Sequence, residues 1–164
     1  MDLELYRLAE SVGQALREKG LMLASAESCT GGWIGEAATA VPGSSDWFER
    51  GFITYSNAAK QEMLGVQSAT LEKFGAVSEP TVLEMASGAV NHSRATIAVA
   101  VSGVAGPSGG TATKPVGMVC IGWCVRGSPP FAVTKHFSGD RESVRRQAVI
   151  VALEGVLEVV RRDE

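Results

Sequence analysis

The chain has 164 residues, is 45% hydrophobic and 20% charged, and carries a formal net charge of −3. That length suits a single domain over 1–164 with one continuous core, and the acidic balance argues against a general nucleic-acid binder. Nineteen glycines make about 12% of the chain against an ordinary share of roughly 7%; with no G-X-Y period and only six prolines, they exclude collagen, a disordered tail and a plain helical bundle.

Residues 3–19 are predicted to form an amphipathic helix, with Leu5, Leu8, Val12, Ala15 and Leu16 on one face and Gly20 as its stop. Residues 21–27 form a short strand. Ser28-Cys29-Thr30-Gly31-Gly32 makes a polar turn into a helix over 33–40, and Pro42-Gly43-Ser44-Ser45 makes a second turn. Residues 47–55 end strand-like in Phe52-Ile53-Thr54-Tyr55. Asn57 caps a short helix carrying Lys60 and ending at Gly65, and Ser68 caps the next, which ends near Gly75. Ser78-Glu79-Pro80 opens a helix of about 15 residues, with proline in its first turn. The apolar run 96–101 reads as a central buried strand. A long glycine-bearing loop, 102–115, follows it, and loops of that length in a compact domain are ordinarily functional or disordered. Strands over 116–125 and 131–137 form a hairpin around Gly127-Ser128-Pro129-Pro130, and a terminal helix spans 140–161. Alternating helices and strands predict an α/β fold, a three-layer α/β/α sandwich on a mixed sheet.

Three cysteines, Cys29, Cys120 and Cys124, make no disulfide framework and point to a reducing cytoplasm. His92 and His136 give no metal-ligand spacing with them, so no metal site is expected. The acidic start Met1-Asp2-Leu3-Glu4-Leu5 lacks a signal-peptide layout, and no apolar stretch reaches the roughly 18 residues that span a bilayer.

Four places can carry chemistry. The Glu27–Gly32 junction sits where a strand meets a helix, and N–H groups at a helix start favour an anion. Ser28, Thr30 and Gly31 are therefore candidates for a substrate phosphate; the bland alternative is a tight turn with a hydroxyl cap. The loop beginning Ser102-Gly103-Val104-Ala105-Gly106-Pro107 follows the central strand, where ligands collect in open α/β sheets. With only two histidines, a lysine whose pKa is depressed by burial is an alternative base. Lys60 is the candidate, although a helical lysine is ordinarily exposed. Cys29 is a rival nucleophile, since a helix start can lower a thiol pKa. Arg141 stands in the first turn of the last helix, where a cation opposes the helix dipole and a ligand anion would compensate.

Taken in order, Ala26-Glu27-Ser28-Cys29-Thr30-Gly31-Gly32, Pro42-Gly43-Ser44-Ser45, Gly51-Phe52-Ile53-Thr54-Tyr55-Ser56-Asn57 with Lys60, Gly75-Ala76-Val77-Ser78-Glu79-Pro80, Ser102-Gly103-Val104-Ala105-Gly106-Pro107, Lys114-Pro115-Val116-Gly117 and Gly139-Asp140-Arg141 resemble the C-terminal domain of the competence/damage-inducible protein CinA. The layout is similar to the stand-alone form, without a preceding molybdopterin-binding-like domain. The resemblance implies a mixed, mostly parallel five-stranded sheet. It also implies hydrolysis of nicotinamide mononucleotide (NMN) to nicotinic acid mononucleotide and ammonia, a step of pyridine nucleotide recycling, with no cofactor and no metal. By resemblance, Ser45 is the nucleophile, Lys60 its base and Tyr55 a supporting residue. Ser28, Thr30, Gly31, Ser102, Gly103, Gly106 and Arg141 are expected to bind substrate. Val104 and Ser108 depart from the common pattern, where isoleucine and an acidic residue are usual. The expected partner is the small molecule NMN, with no nucleic acid and no membrane, and a homo-oligomer such as a dimer stays open. A non-catalytic nucleotide-binding module of the same fold is the competing reading, and a Cys29 hydrolase is a third.

Overall fold

The computed structural model describes residues 1–162. In chain order the elements are α1 (Leu3–Glu18), β1 (Leu23–Glu27), α2 (Trp33–Thr39), a single 3-10 turn (Ser44–Asp46), β2 (Phe48–Ile53), α3 (Asn57–Leu64), α4 (Ser68–Phe74), α5 (Glu79–Asn91), β3 (Ile97–Gly103), β4 (Met118–Val125), β5 (Phe131–His136) and α6 (Arg141–Arg161). Each is an expected element. Three helix starts differ by one residue, among them α6, which begins at Arg141 with Asp140 as its cap. Ser56, in extended backbone, caps α3 by accepting the Ala59 N–H, so Asn57 is already helical. Gln67 precedes α4 without a side-chain cap, and Ser68 is the first helical residue.

The five strands form one sheet in the order β2-β1-β3-β4-β5. β1 runs parallel to β2 and to β3, whereas β4 is antiparallel to both β3 and β5. Only β4 therefore opposes the common direction. The carboxyl ends of β1, β2 and β3 open onto one edge, where ligands of open α/β sheets bind.

Side chains along β3 alternate between two cores. Ile97, Val99 and Val101 face α1, α2 and α6, while Ala98 and Ala100 face α3, α4 and α5. The first core is built from large aliphatics with Trp47 and Trp123, and the second from alanines and cysteines around Val82 and Met85. Small residues on the second face let α5 lie close to the sheet. A Cβ at Gly122 would stand 2.9 Å from the Val82 carbonyl oxygen. α5 in turn receives α3: a Cβ at Gly88 would overlap the Leu64 carbonyl, lying 2.8 Å from its carbon. That contact sets the position of the short helix that carries Lys60.

Gly88→Ala is expected to destabilise the protein by about 1–3 kcal/mol through overpacking against backbone that cannot yield. Urea unfolding measures it; an unchanged midpoint would show that α3 is free to shift.

Candidate active site

Ser28 follows β1 directly and Thr54 follows β2 directly. The backbone ladder extends past the strand ends to hold both. The Ser28 N–H donates to Val101 O at 3.0 Å, and the Thr54 N–H donates to Glu27 O at 2.8 Å. Lys60, in the first turn of α3, enters from the α5 side. Its Nζ donates to Thr54 O at 3.0 Å and lies 3.1 Å from Ser28 Oγ. The side chain is only 1% exposed. Among the described residues no carboxylate lies within ion-pair distance of it. Burial, which penalises the ammonium, moves the Lys60 pKa below the ordinary lysine value, and the Cys29 thiol opposes this in part. Thr54 Oγ1 is buried with no hydrogen-bond partner among the described residues.

Glu27 is the anchor of the turn. Its carboxylate is 1% exposed and takes the Thr30 hydroxyl at 2.7 Å, the Ile34 N–H at 2.9 Å, the Gly35 N–H at 3.1 Å and the Ser25 hydroxyl at 3.4 Å. The acceptor that a helix start favours is thus supplied by the chain itself. The Thr30 hydroxyl and the Gly31 N–H, expected to meet a phosphate, are thus engaged within the chain. The Thr30 hydroxyl is buried on Glu27, and the Gly31 N–H donates to Ser28 O. The N–H groups of Cys29 and Thr30 engage no acceptor among the described residues.

Ser45 and Lys60 are not brought together. Ser45 sits, exposed, in the 3-10 turn that enters β2, and Arg17 holds that turn by donating to Gly43 O at 3.0 Å and approaching Asp46 at 3.5 Å. Lys60 binds Thr54, beyond the far end of β2, and a six-residue strand separates the two ends by roughly 20 Å. The hydroxyl placed on Lys60 is that of Ser28.

The remaining candidates divide. Ser102 is buried at the end of β3, next to the Val101 carbonyl that holds Ser28. Gly103 belongs to β3, and a Cβ there would stand 3.0 Å from the Met118 carbonyl oxygen. Close packing of β4 therefore requires glycine there. Gly106 is buried and offers its carbonyl to Arg141 Nη1 at 2.9 Å. Arg141 also reaches the hydroxyl of Tyr55, 64% exposed, with Nη2 at 3.5 Å. Arg141 thus bridges the glycine loop and the chain just beyond Thr54. Burial pushes the Cys29 thiol up to about 11, aided by Glu27 and opposed by Arg145. Such a thiol is protonated at neutral pH, contrary to what a cysteine nucleophile needs. Glu27, Thr54 and Arg145 also contact the Ser28 turn or Lys60, and the sequence assigns them no role. Only the Glu27 motif itself carries a readable signal.

Among the described residues, no three His, Cys, Asp or Glu side chains cluster as a metal-binding group, and no helix is long and apolar enough to cross a membrane.

The CinA C-terminal domain family model matches residues 5–160. The chain is 52% identical over 153 residues to the nicotinamide-nucleotide amidohydrolase PncC of Escherichia coli (strain K12), covering 93% of each. It is 53% identical over 152 residues to PncC of Pseudomonas putida, covering 93% of this chain and 94% of that one. The crystal structure of the competence/damage inducible protein CihA from Agrobacterium tumefaciens superposes with a TM-score of 0.92 at 44% identity, covering 94% of both chains. The chain belongs to the CinA C-terminal domain family.

A lysine with a lowered native pKa makes stability depend on pH in a defined direction. Between the native value and the unfolded value of about 10.4, the unfolded chain binds more protons, so stability rises with pH. The native protein is therefore expected to gain stability relative to Lys60→Met as pH climbs from 7 toward about 10. Paired urea titrations test this; a difference independent of pH would mean that Lys60 stays charged.

Proposed function

We propose that this chain is a nicotinamide-nucleotide amidohydrolase. It converts NMN and water to nicotinic acid mononucleotide and ammonia, with Ser28 as nucleophile and Lys60 as its general base. The observation that carries this reading is the 3.1 Å approach of the buried Lys60 Nζ to Ser28 Oγ, within the geometry a nucleophile–base pair requires. The names of the PncC relatives supply the substrate. The whole chain serves as one amidohydrolase domain, and its three free buried thiols suit the reducing cytoplasm.

In the neutral amine, one N–H of Lys60 is held by Thr54 O, which turns the lone pair toward Ser28. Lys60 takes the Ser28 proton as Oγ attacks the carboxamide carbon. The negative charge on the amide oxygen falls to the free N–H groups of the Cys29–Thr30 turn. Lys60 then returns the proton to the departing nitrogen, which leaves as ammonia when the C–N bond breaks. Lys60, neutral again, takes a proton from the water that hydrolyses the acyl ester, and the proton goes back to Ser28. Arg141, free of any carboxylate among the described residues, binds the 5′-phosphate, with Gly106 and Tyr55 beside it.

Ser28→Ala is expected to lower kcat for ammonia release from NMN by about 10³-fold or more, whereas Ser45→Ala stays within a few-fold of the native enzyme. The reverse pattern returns the nucleophile to Ser45. Arg141→Met is expected to raise KM for NMN by about 10- to 100-fold, the worth of a lost charged hydrogen bond. It should leave KM for nicotinamide riboside, which has no phosphate, nearly unchanged; an equal rise for both places the phosphate elsewhere.

A further inference from the structure

We propose that Arg145 is a positioning residue of the amidase reaction: by gripping the Cys29 and Thr30 carbonyls, it presents the Thr30 N–H as an oxyanion donor beside Ser28. The inference rests on the Ser28–Lys60 reading.

Arg145 Nε donates to Cys29 O at 3.0 Å, and its Nη2 donates to Thr30 O at 3.1 Å. One edge of the guanidinium therefore holds two consecutive carbonyls, a geometry that suits its rigid fork and that a point-charge ammonium does not reproduce. The plane is fixed further by Trp33, whose ring centre lies 5.3 Å from the guanidinium carbon. Among the described residues, no carboxylate pairs with Arg145. Its hydrogen bonds go to the turn.

A trans peptide is planar, and its N–H points opposite to its C=O. The Cys29 carbonyl and the Thr30 N–H share one peptide unit, so an arginine that pulls the carbonyl one way aims the N–H the other way. The directions are set by the layers. α6, with Arg145, packs on the α1–α2 side of the sheet together with Cys29, whereas α3, with Lys60, packs on the α5 side. Away from Arg145 is thus toward the face from which Lys60 reaches Ser28. The Thr30 N–H is also one that the chain leaves unengaged. The neighbouring Gly31 N–H is not available, because it closes the turn on Ser28 O. A cation behind the peptide polarises it in the sense that strengthens the N–H as a donor.

Arg145 sits one helical turn beyond Arg141, on the same face of α6. The two arginines divide the site between them: Arg141 bridges Gly106 and Tyr55, and Arg145 stands behind the nucleophile turn. A donor aimed at the developing oxyanion acts in the transition state and not on bound substrate, so its loss lowers kcat with little change in KM.

The test is steady-state kinetics on NMN with the full chain carrying Arg145→Gln or Arg145→Lys, with melting temperature recorded for each and Ser28→Ala run in parallel. The expected result is a loss of about 10²-fold in kcat for both variants, with KM within about threefold and the melting temperature kept within a few degrees. Arg145→Lys keeps the charge but not the fork, so native kcat in that variant overturns the clamp in favour of charge alone. Native kcat in Arg145→Gln, a change confined to KM, or a kcat loss that only follows the loss of folded protein also overturns it. If Arg145→Gln fails to fold, Arg145→Lys alone decides by the same readings. Activity retained in Ser28→Ala instead removes the Ser28–Lys60 reading itself, whatever the arginine variants show.

Discussion

The buried amine of Lys60 is the constraint around which the rest of this structure is arranged. Taking an ammonium out of water without a counter-ion costs several kcal/mol, and a protein normally lets such a group lose its proton. Here, among the described residues, the partners of Nζ are a main-chain carbonyl and a hydroxyl, Thr54 O and Ser28 Oγ. Neither demands a charge. The surroundings thus favour the form of lysine that can accept a proton, and they place a hydroxyl where that proton would come from. The parallel ladder that carries Ser28 and Thr54 past the ends of β1 and β2 holds both partners in register.

The turn around Ser28 is held by two opposite charges from two directions. Glu27 gathers the N–H groups at the start of α2 and the Thr30 hydroxyl, and Arg145 gathers the carbonyls of Cys29 and Thr30. A carboxylate below and a guanidinium behind fix a short segment that contains two consecutive glycines, Gly31 at φ 60° and Gly32 at φ 107°, and would otherwise be loose. The anion that the start of α2 is suited to receive is therefore part of the scaffold. In the proposed reading, attraction for a phosphate falls instead to Arg141, which bridges Gly106 and Tyr55.

Periodicity and turn chemistry make the elements of this fold readable in the sequence. Leu5, Val12 and Leu16 on one face define α1, the apolar run before Ser102 defines β3, and Pro80 behind Ser78 marks the start of α5. The site is less readable, for reasons that differ by residue. Lys60 looks exposed because four helix residues of small or polar type surround it; its burial comes from the close docking of α3 on α5 at Gly88, a contact 28 positions away. Ser45 and Ser28 are both hydroxyls in polar turns, and the strand that separates one of them from Lys60 can be weighed only once its direction is known. Arg145 resembles any other cation on a solvated terminal helix, because its partners are backbone atoms more than a hundred residues earlier. Backbone acceptors leave no mark in the identity of side chains. Glu27 is visible within its motif, but nothing local says that its carboxylate folds back onto the helix start.

The alternation along β3 has a consequence for how this protein can change over time. The face that meets α6 is filled with branched and aromatic side chains, and such a layer accepts volume-conserving exchanges with repacking. The face that meets α5 is lined by alanine, cysteine and glycine, and the helix rests almost on the backbone. Nothing there can be traded against a neighbour, since there is little side chain to give up. Sequence drift is therefore expected to run freely through one half of the core and to stall in the other. The stalled half is the one that carries the lysine.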